Sequence, residues 1–288
     1  MVITEAAHLE TVLAACKGIP DSEIQIFILD KMATDALTNV RSDESLSIRC
    51  NGSLSALEEI RSVASLLTHG SSDWMRITDE KTARATTACM FSTSGTTGMP
   101  KLCRLSHHAE IAKNISIQSE GKDYDVKSLV SVPLFHIFGA ALIHVNPIRK
   151  GEPVYIMSRF DLKKYTSMIQ KYGITDTATT PQMVIYLLKS GLPLKDLLRT
   201  LRYVWCGSAP IDAAVLKRFY NMLAPNAIIT GLWGMSETGG HTCFRWPERD
   251  TTGSVGRLTP GTEIRRVLGN LQLNQPLKLK FMLTLFDM

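Results

Sequence analysis

Apolar positions along the chain alternate between two spacings. Leu9, Val12, Leu13 and Cys16 share a face at helical spacing, Gly18 and Pro20 close that run, and Ile24 to Leu29 is a short apolar stretch suited to a buried strand. A polar loop is expected over 39–53. Ser55 and Glu58 have the spacing of a capping box, which predicts a helix aligning Leu57, Ile60, Ala64 and Leu67 on one face. Cys89-Met90 is strand-like, and Leu102 to Leu105 reads as a second short strand ahead of a helix that starts near Ser106. Ser128 to Leu134 and Val154 to Met157 read as strands, and Asp161 caps a helix that ends near Lys171-Tyr172-Gly173. The unit then recurs: strand from Ile174 to Thr180, helix from Pro181, strand from Tyr203 to Cys206, and a helix from Asp212 through Met222. Strands alternating with crossover helices predict an α/β fold with largely parallel sheets. The final run, Leu277 to Phe286, alternates weakly and then turns apolar with no partner strand after it, so it is expected as an edge strand prone to association.

Composition narrows the function classes. A chain of 288 residues with 44% hydrophobic content has room for one large domain or two modest ones. No window approaches the roughly 18 to 20 uninterrupted apolar residues that cross a bilayer. The start lacks the basic and apolar regions of a secretion signal. An intracellular, cytoplasmic setting is therefore expected. The end, Leu285-Phe286-Asp287-Met288, is not a Ser-Lys-Leu address, so a peroxisomal form would need its signal elsewhere in a full-length protein. The six cysteines form no CxxC pair, which argues against a zinc site and a disulfide framework. The net charge of +5 is spread along the chain without a Lys/Arg block, so nucleic acid is not an expected partner. His69, His107, His108, His144 and His241 have no ligand partners at metal spacing and receive no chemistry.

The densest chemical signal is residues 91–101, Phe-Ser-Thr-Ser-Gly-Thr-Thr-Gly-Met-Pro-Lys, directly after the apolar Cys89-Met90. Gly95 and Gly98 let the backbone turn so that amide hydrogens point inward. Ser94, Thr96 and Thr97 add hydroxyls, and Lys101 adds a point charge. This is a phosphate loop by its chemistry. A Walker A loop is excluded, because that motif runs Gly-Lys-Ser/Thr into a helix, whereas here Pro100 precedes the lysine and Leu102 follows it.

The loop matches the signature of the adenylate-forming superfamily, and the resemblance continues in order along the chain. Ser106-His107 sits where that family has Thr-His, Pro133 to Gly139 looks like its Pro-Leu-Phe-His segment, and Gly207-Ser-Ala-Pro210 resembles its adenine loop. Gly231 to Thr238 is similar to its Tyr-Gly-Met-Thr-Glu, and Gly253-Ser-Val-Gly256 with Pro260-Gly261 continues in register. The family joins ATP to a carboxylate, forming an acyl adenylate and pyrophosphate, after which a CoA thiol displaces AMP. The resemblance implies that Thr93, Ser94, Gly95, Thr96, Thr97, Gly98 and Lys101 hold the phosphates and that Glu237 coordinates Mg2+. It implies that the Ser236 hydroxyl reaches the α-phosphate, with Ser236, Glu237 and Lys101 as the catalytic set. Gly207, Ser208, Ala209 and Pro210 would lie against adenine, with Gly234 and Trp233, which replaces the usual tyrosine, on the base. His136, Phe135, Phe138, Gly139, Gly231 and Met235 would form the acyl and CoA channel, with His136 gating it. Taken singly, His136 also reads as a buried structural histidine, Trp233 as core packing and Glu237 as a loop carboxylate. Their joint order selects the site reading.

The resemblance starts inside the family's large domain and departs after Glu263-Ile264-Arg265. No Thr-Gly-Asp follows to supply a ribose-binding aspartate, and Leu102 stands where glycine is frequent. The expected architecture is thus a partial large N-terminal domain of the adenylate-forming fold, truncated at both ends, with the small C-terminal domain absent. Its expected parts are a first α/β subdomain at 1–125 carrying the phosphate loop, a second at 126–262 carrying the adenine and acyl motifs, and a divergent tail at 263–288. The implied function is that of an AMP-forming acid-thiol ligase in truncated form, acting on an aromatic or fatty acid with ATP and CoA and with no specific protein partner. A non-catalytic nucleotide-binding remnant is the alternative.

Overall fold

The computed structural model describes residues 2–16, 25–29, 60–69, 73–93, 101–117, 121–249, 254–268 and 279–285. The chain divides into two compact units, Met1–Arg76 and Ile77–Met288.

In the first unit β1 (Val2–Thr4), β2 (Ile26–Ile28) and β3 (Ile60–Ser62) form a three-stranded parallel sheet in that order. Helix α1 (Leu9–Cys16) crosses between the first two strands and lays Leu9, Val12, Leu13 and Cys16, the face read from the sequence, against Ile26 and Ile28. The stop at Gly18 and Pro20, the polar loop at 39–53 and the Ser55–Glu58 capping box lie outside the described residues. The helix expected over Ile60 is corrected: Ile60–Ser62 is a strand, and Val63–His69 is a 3-10 helix. Pairing of Ile60 with Ile26 overrides the local helical spacing, and Ser62 ends the strand by accepting from the Ala64 amide at 3.1 Å.

The second unit opens with α2 (Glu80–Ala85), whose Asp79 cap accepts from the Thr82 amide at 2.8 Å. Next come the antiparallel strands β4 (Thr87–Thr93) and β5 (Lys101–Ser106), and then α3 (His107–Ser116), capped by the Ser106 hydroxyl. One hairpin face turns Phe91 and Leu105 inward, where they pack with Ile137 and Ala140 of α4 (Ile137–Ile143).

At the centre of this unit is a five-stranded parallel sheet. Its strands are β6 (Ser128–Val130), β7 (Val154–Ile156), β8 (Asp176–Thr179), β9 (Tyr203–Cys206) and β10 (Ile228–Gly231), in the spatial order β10-β9-β8-β6-β7. Between them run α5 (Asn146–Lys150), α6 (Leu162–Tyr172), α7 (Pro181–Lys189), α8 (Leu194–Leu197) and α9 (Ala213–Tyr220). Asp161 caps α6 and Gly173 ends it at φ 62°, Pro181 opens α7, and Asp212 caps α9, all as the sequence predicts. β6 stops at Val130 rather than Leu134, because the chain turns at Pro133 to enter α4, with the His136 amide donating to the Pro133 carbonyl. At the opposite end of β8, fully buried Asp176 is paired with Lys122 and accepts from the Tyr124 hydroxyl at 3.0 Å.

After β6 the chain moves outward to β7, whereas after β8 it moves the other way to β9, so the direction of winding reverses between β6 and β8. In open α/β sheets the crevice beyond the carboxyl ends of such strands is where ligands bind. Beyond the sheet, β11 (Trp233–Met235), β12 (Gly239–Cys243) and β13 (Arg257–Leu258) form an antiparallel sheet. The closing run, expected without a partner, pairs backward: β15 (Leu279–Leu285) lies antiparallel to β14 (Thr262–Leu268).

Candidate active site

Loops leaving the carboxyl ends of β9 and β10 meet at this edge of the sheet. The Gly207 amide donates to the Thr179 carbonyl at 3.1 Å, and Gly207 is buried while Ser208, Ala209 and Pro210 are exposed. A β-carbon at Gly207 would stand 3.2 Å from the Phe138 ring and 3.4 Å from the Leu232 carbonyl, so the loop is wedged between α4 and the chain leaving β10. Ser208 adopts φ 76°, a left-handed backbone for a residue with a side chain, which costs on the order of 1 kcal/mol or more. Gly231 pairs with Cys206, and the Leu232 amide donates to the Cys206 carbonyl at 2.9 Å. A β-carbon at Gly231 would come within 3.1 Å of the Ser254 carbonyl and of the Val255 α-carbon, so the 254–255 backbone lies directly against it.

β11 presents half-buried Trp233 and Met235, then turns through Ser236-Glu237-Thr238 into β12. At Gly234 the backbones approach so closely that a β-carbon would lie 2.2 Å from the Gly239 carbonyl. Glu237 is exposed at the turn and Ser236 is partly so. Burial pushes the Cys103 thiol upward, and the Glu237 charge pushes it further. Cys103 stands two residues beyond Lys101 on that strand and so shares its face. Lys101 is paired with Thr93, whose hydroxyl donates to the Lys101 carbonyl at 3.2 Å, so the two described flanks of the segment expected to bind phosphate are held together. Ser94, Gly95, Thr96, Thr97 and Gly98 lie outside the described residues. The Cys89 thiol is pushed up to about 11 by burial and by the hydrogen bond it donates to Glu110 at 3.3 Å.

His136 is the N-cap of α4. Its Nδ1 accepts from the Phe138 amide at 3.2 Å, and its ring is exposed, which removes the reading of a buried structural histidine. Phe135 beside it is 83% exposed, while Phe138 is buried. Gly139 allows the first turn of α4 to sit on Pro133, where a β-carbon would lie 2.2 Å from the carbonyl oxygen.

Two neighbours of the site escaped the sequence reading. His241 is 1% exposed, bonded through Nε2 to the Thr238 hydroxyl, and its ring centroid lies 5.5 Å from that of Trp233. Lys113, on α3, is 3% exposed and paired with Glu110 at 2.5 Å. The signal for Lys113 was its spacing of three from Glu110 on a helix. For His241 it was only strand alternation after Gly239-Gly240.

Among the described residues no group of three or more His, Cys, Asp or Glu side chains is arranged to hold a metal ion. Glu237 offers a single exposed carboxylate at this turn, and a hard cation such as Mg2+ can bind with few protein ligands. The exposed carboxylate at the turn fits that mode. No helix among the described residues is long and apolar enough to cross a membrane.

A mixed α/β unit with a parallel sheet, and with glycine-lined loops at its carboxyl edge, is the architecture of adenylate-forming enzymes. The AMP-binding enzyme family matches residues 9–273, and the chain belongs to that family. It is 36% identical over 267 residues to a nicotinic acid-CoA ligase of Penicillium canescens, covering 93% of this chain and 49% of that protein. It is 33% identical over 258 residues to an acyl-CoA synthetase of Alternaria alternata, covering 86% of this chain and 45% of the other. The solved luciferase-like enzyme of the mealworm Zophobas morio superposes with a TM-score of 0.65 at 22% identity, over 96% of this chain and 58% of that one. The chain thus spans about half the length of the curated relatives it matches.

Proposed function

We propose that the chain carries the ATP- and acid-binding core of an AMP-forming acyl-CoA ligase. What supports this reading is the family match over residues 9–273, together with the pairing of Thr93 and Lys101 at the two ends of the glycine- and hydroxyl-rich segment and the exposed Glu237 carboxylate at the β11–β12 turn. In the proposed reaction a carboxylate oxygen attacks the α-phosphorus of ATP, and the bond to the leaving pyrophosphate breaks. The charge that develops there requires preorganised cations and donors. Bound Mg2+ would neutralise phosphate charge. Lys101 and the Thr93 to Gly98 loop would orient the β- and γ-phosphates, and the Ser236 hydroxyl would donate to the α-phosphate. Ser208 to Pro210 and Trp233 would hold the adenine, one beneath the sheet-edge loop and the other from β11. His136, whose Nδ1 is committed to the helix cap, has Nε2 left to face the acyl entrance, a gating role rather than proton transfer.

The test is direct binding of ATP to the chain with Lys101→Ala beside it. Loss of one charge-assisted contact to phosphate is worth about 1.5 to 3 kcal/mol, so affinity is expected to fall at least about tenfold while circular dichroism is unchanged. Equal affinity in the two proteins would overturn the phosphate-loop assignment.

A further inference from the structure

A buried cation lies between the β4–β5 hairpin and the turn that carries Glu237. Lys113 projects from α3 and is 3% exposed, its ammonium 2.5 Å from the Glu110 carboxylate. Glu110 also accepts from the Cys89 thiol at 3.3 Å, and Cys89 lies on β4, the strand that leads into the phosphate loop. The Lys113 ammonium lies 6.0 Å from the centroid of the Phe91 ring on that same strand. Gly239, with φ 80°, sits directly on the Lys113 stem, and a β-carbon there would be 2.1 Å from the lysine Cδ and 2.7 Å from Cγ. Gly239 is the residue that receives the Ser236-Glu237-Thr238 turn into β12, and it pairs with Met235 on the other side of that turn.

We infer that Lys113 is a positioning residue. Its head is held beside β4 through Glu110, and its stem lies under Gly239 where the Glu237 turn enters β12, so one side chain sets the separation between β4 and that turn. The inference rests on Glu237 facing Mg2+ and nucleotide as proposed above. A buried lysine is expensive unless paired, and an ordinary packing position would be filled by an apolar residue. Here the pair sits within α3, and its two members reach different segments: Glu110 accepts from Cys89 on β4, and the Lys113 stem lies against Gly239 at the start of β12. Groups that orient a metal ligand without touching the metal are worth about 10- to 100-fold in metal affinity.

The test titrates Mg2+ at a fixed ATP concentration, follows bound nucleotide, and measures AMP binding without metal alongside. Two variants neutralise Glu110 equally and differ only in the stem: Lys113→Ala with Glu110→Gln, and Lys113→Met with Glu110→Gln. The alanine pair is expected to need about tenfold more Mg2+ for half-saturation with AMP binding unchanged, and the methionine pair, which keeps the stem but loses the tie through Glu110, to fall between the alanine pair and the original chain. Glu237→Gln should shift the Mg2+ requirement by itself, and adding the alanine pair to it should give little further change. Gly239→Ala strains the same contact from the turn's side and carries the test where truncation of the lysine prevents folding; its Mg2+ requirement should rise likewise. A parallel loss of AMP and Mg·ATP binding, or no shift in the alanine pair, would overturn the positioning role. An unaltered chain that binds ATP with no dependence on Mg2+ would instead remove the Glu237 reading, and this inference with it.

Discussion

His241 has one ring nitrogen bonded to the Thr238 hydroxyl and the other buried without a hydrogen-bond partner. Burial holds its pKa at about 4, against an ordinary 6.5. Between those values the unfolded chain takes up a proton that the folded chain refuses, so stability falls as the pH drops through that window. The expected loss between pH 7 and pH 5 is about 2 kcal/mol, read from urea midpoints, and His241→Leu should flatten the slope whatever it does to absolute stability. An unchanged slope in the variant would assign the pH dependence to another group. The sequence held little warning of this residue, because its burial comes from β12 folding beneath Trp233 on β11, a contact that spacing from ligand-type residues does not report. Lys113 escaped for the same reason: helical spacing put it beside Glu110 but left open whether the pair faced water or the chain around Gly239. His136 was weighed as buried or channel-facing, and its cap bond to the Phe138 amide is a local interaction at a spacing of two residues that the sequence does carry.

Elements set by local chemistry were legible. Asp161, Pro181, Asp212 and Gly173 each satisfy or end their own helix through groups within a few residues, so the sequence places those boundaries well. Elements set by distant pairing were not. β1 gave no signal in three residues, and Ile60 follows helical spacing yet pairs with Ile26. The backward pairing of β15 with β14 is of the same kind. Helix α4 shows what tight local packing requires: Gly139→Ala would drive a methyl group into the Pro133 carbonyl, a backbone atom that cannot rotate away. We expect it to cost about 2 kcal/mol or more in chemical denaturation and to weaken the Phe138 contact with Gly207. Gly151→Ala, at φ 67° with open space around it, is the control and should cost only about 1 kcal/mol. Similar costs for the two would mean that the α4 turn relaxes freely.

For the whole molecule, family membership is shown by the match over residues 9–273, while the span of about half of each relative leaves the complete reaction as a proposal. Carboxylate-dependent exchange of labelled pyrophosphate into ATP measures the adenylation step alone. We expect the chain to bind ATP but to give no exchange above background. Robust exchange would show that residues 1–288 suffice for adenylation and would exclude a non-catalytic nucleotide-binding chain. The order β10-β9-β8-β6-β7 has a further consequence for how the protein is made. Ser128 on β6 finds its neighbour Asp176 on β8 only after β7 and α6 have been synthesised between them, and Tyr203 and Ile228 follow later still. The nascent sheet therefore grows outward from β6 in one direction and then the other, with an open edge on the ribosome until β10 emerges. Such sequence-distant pairing places its folding toward the slow end for domains of this kind.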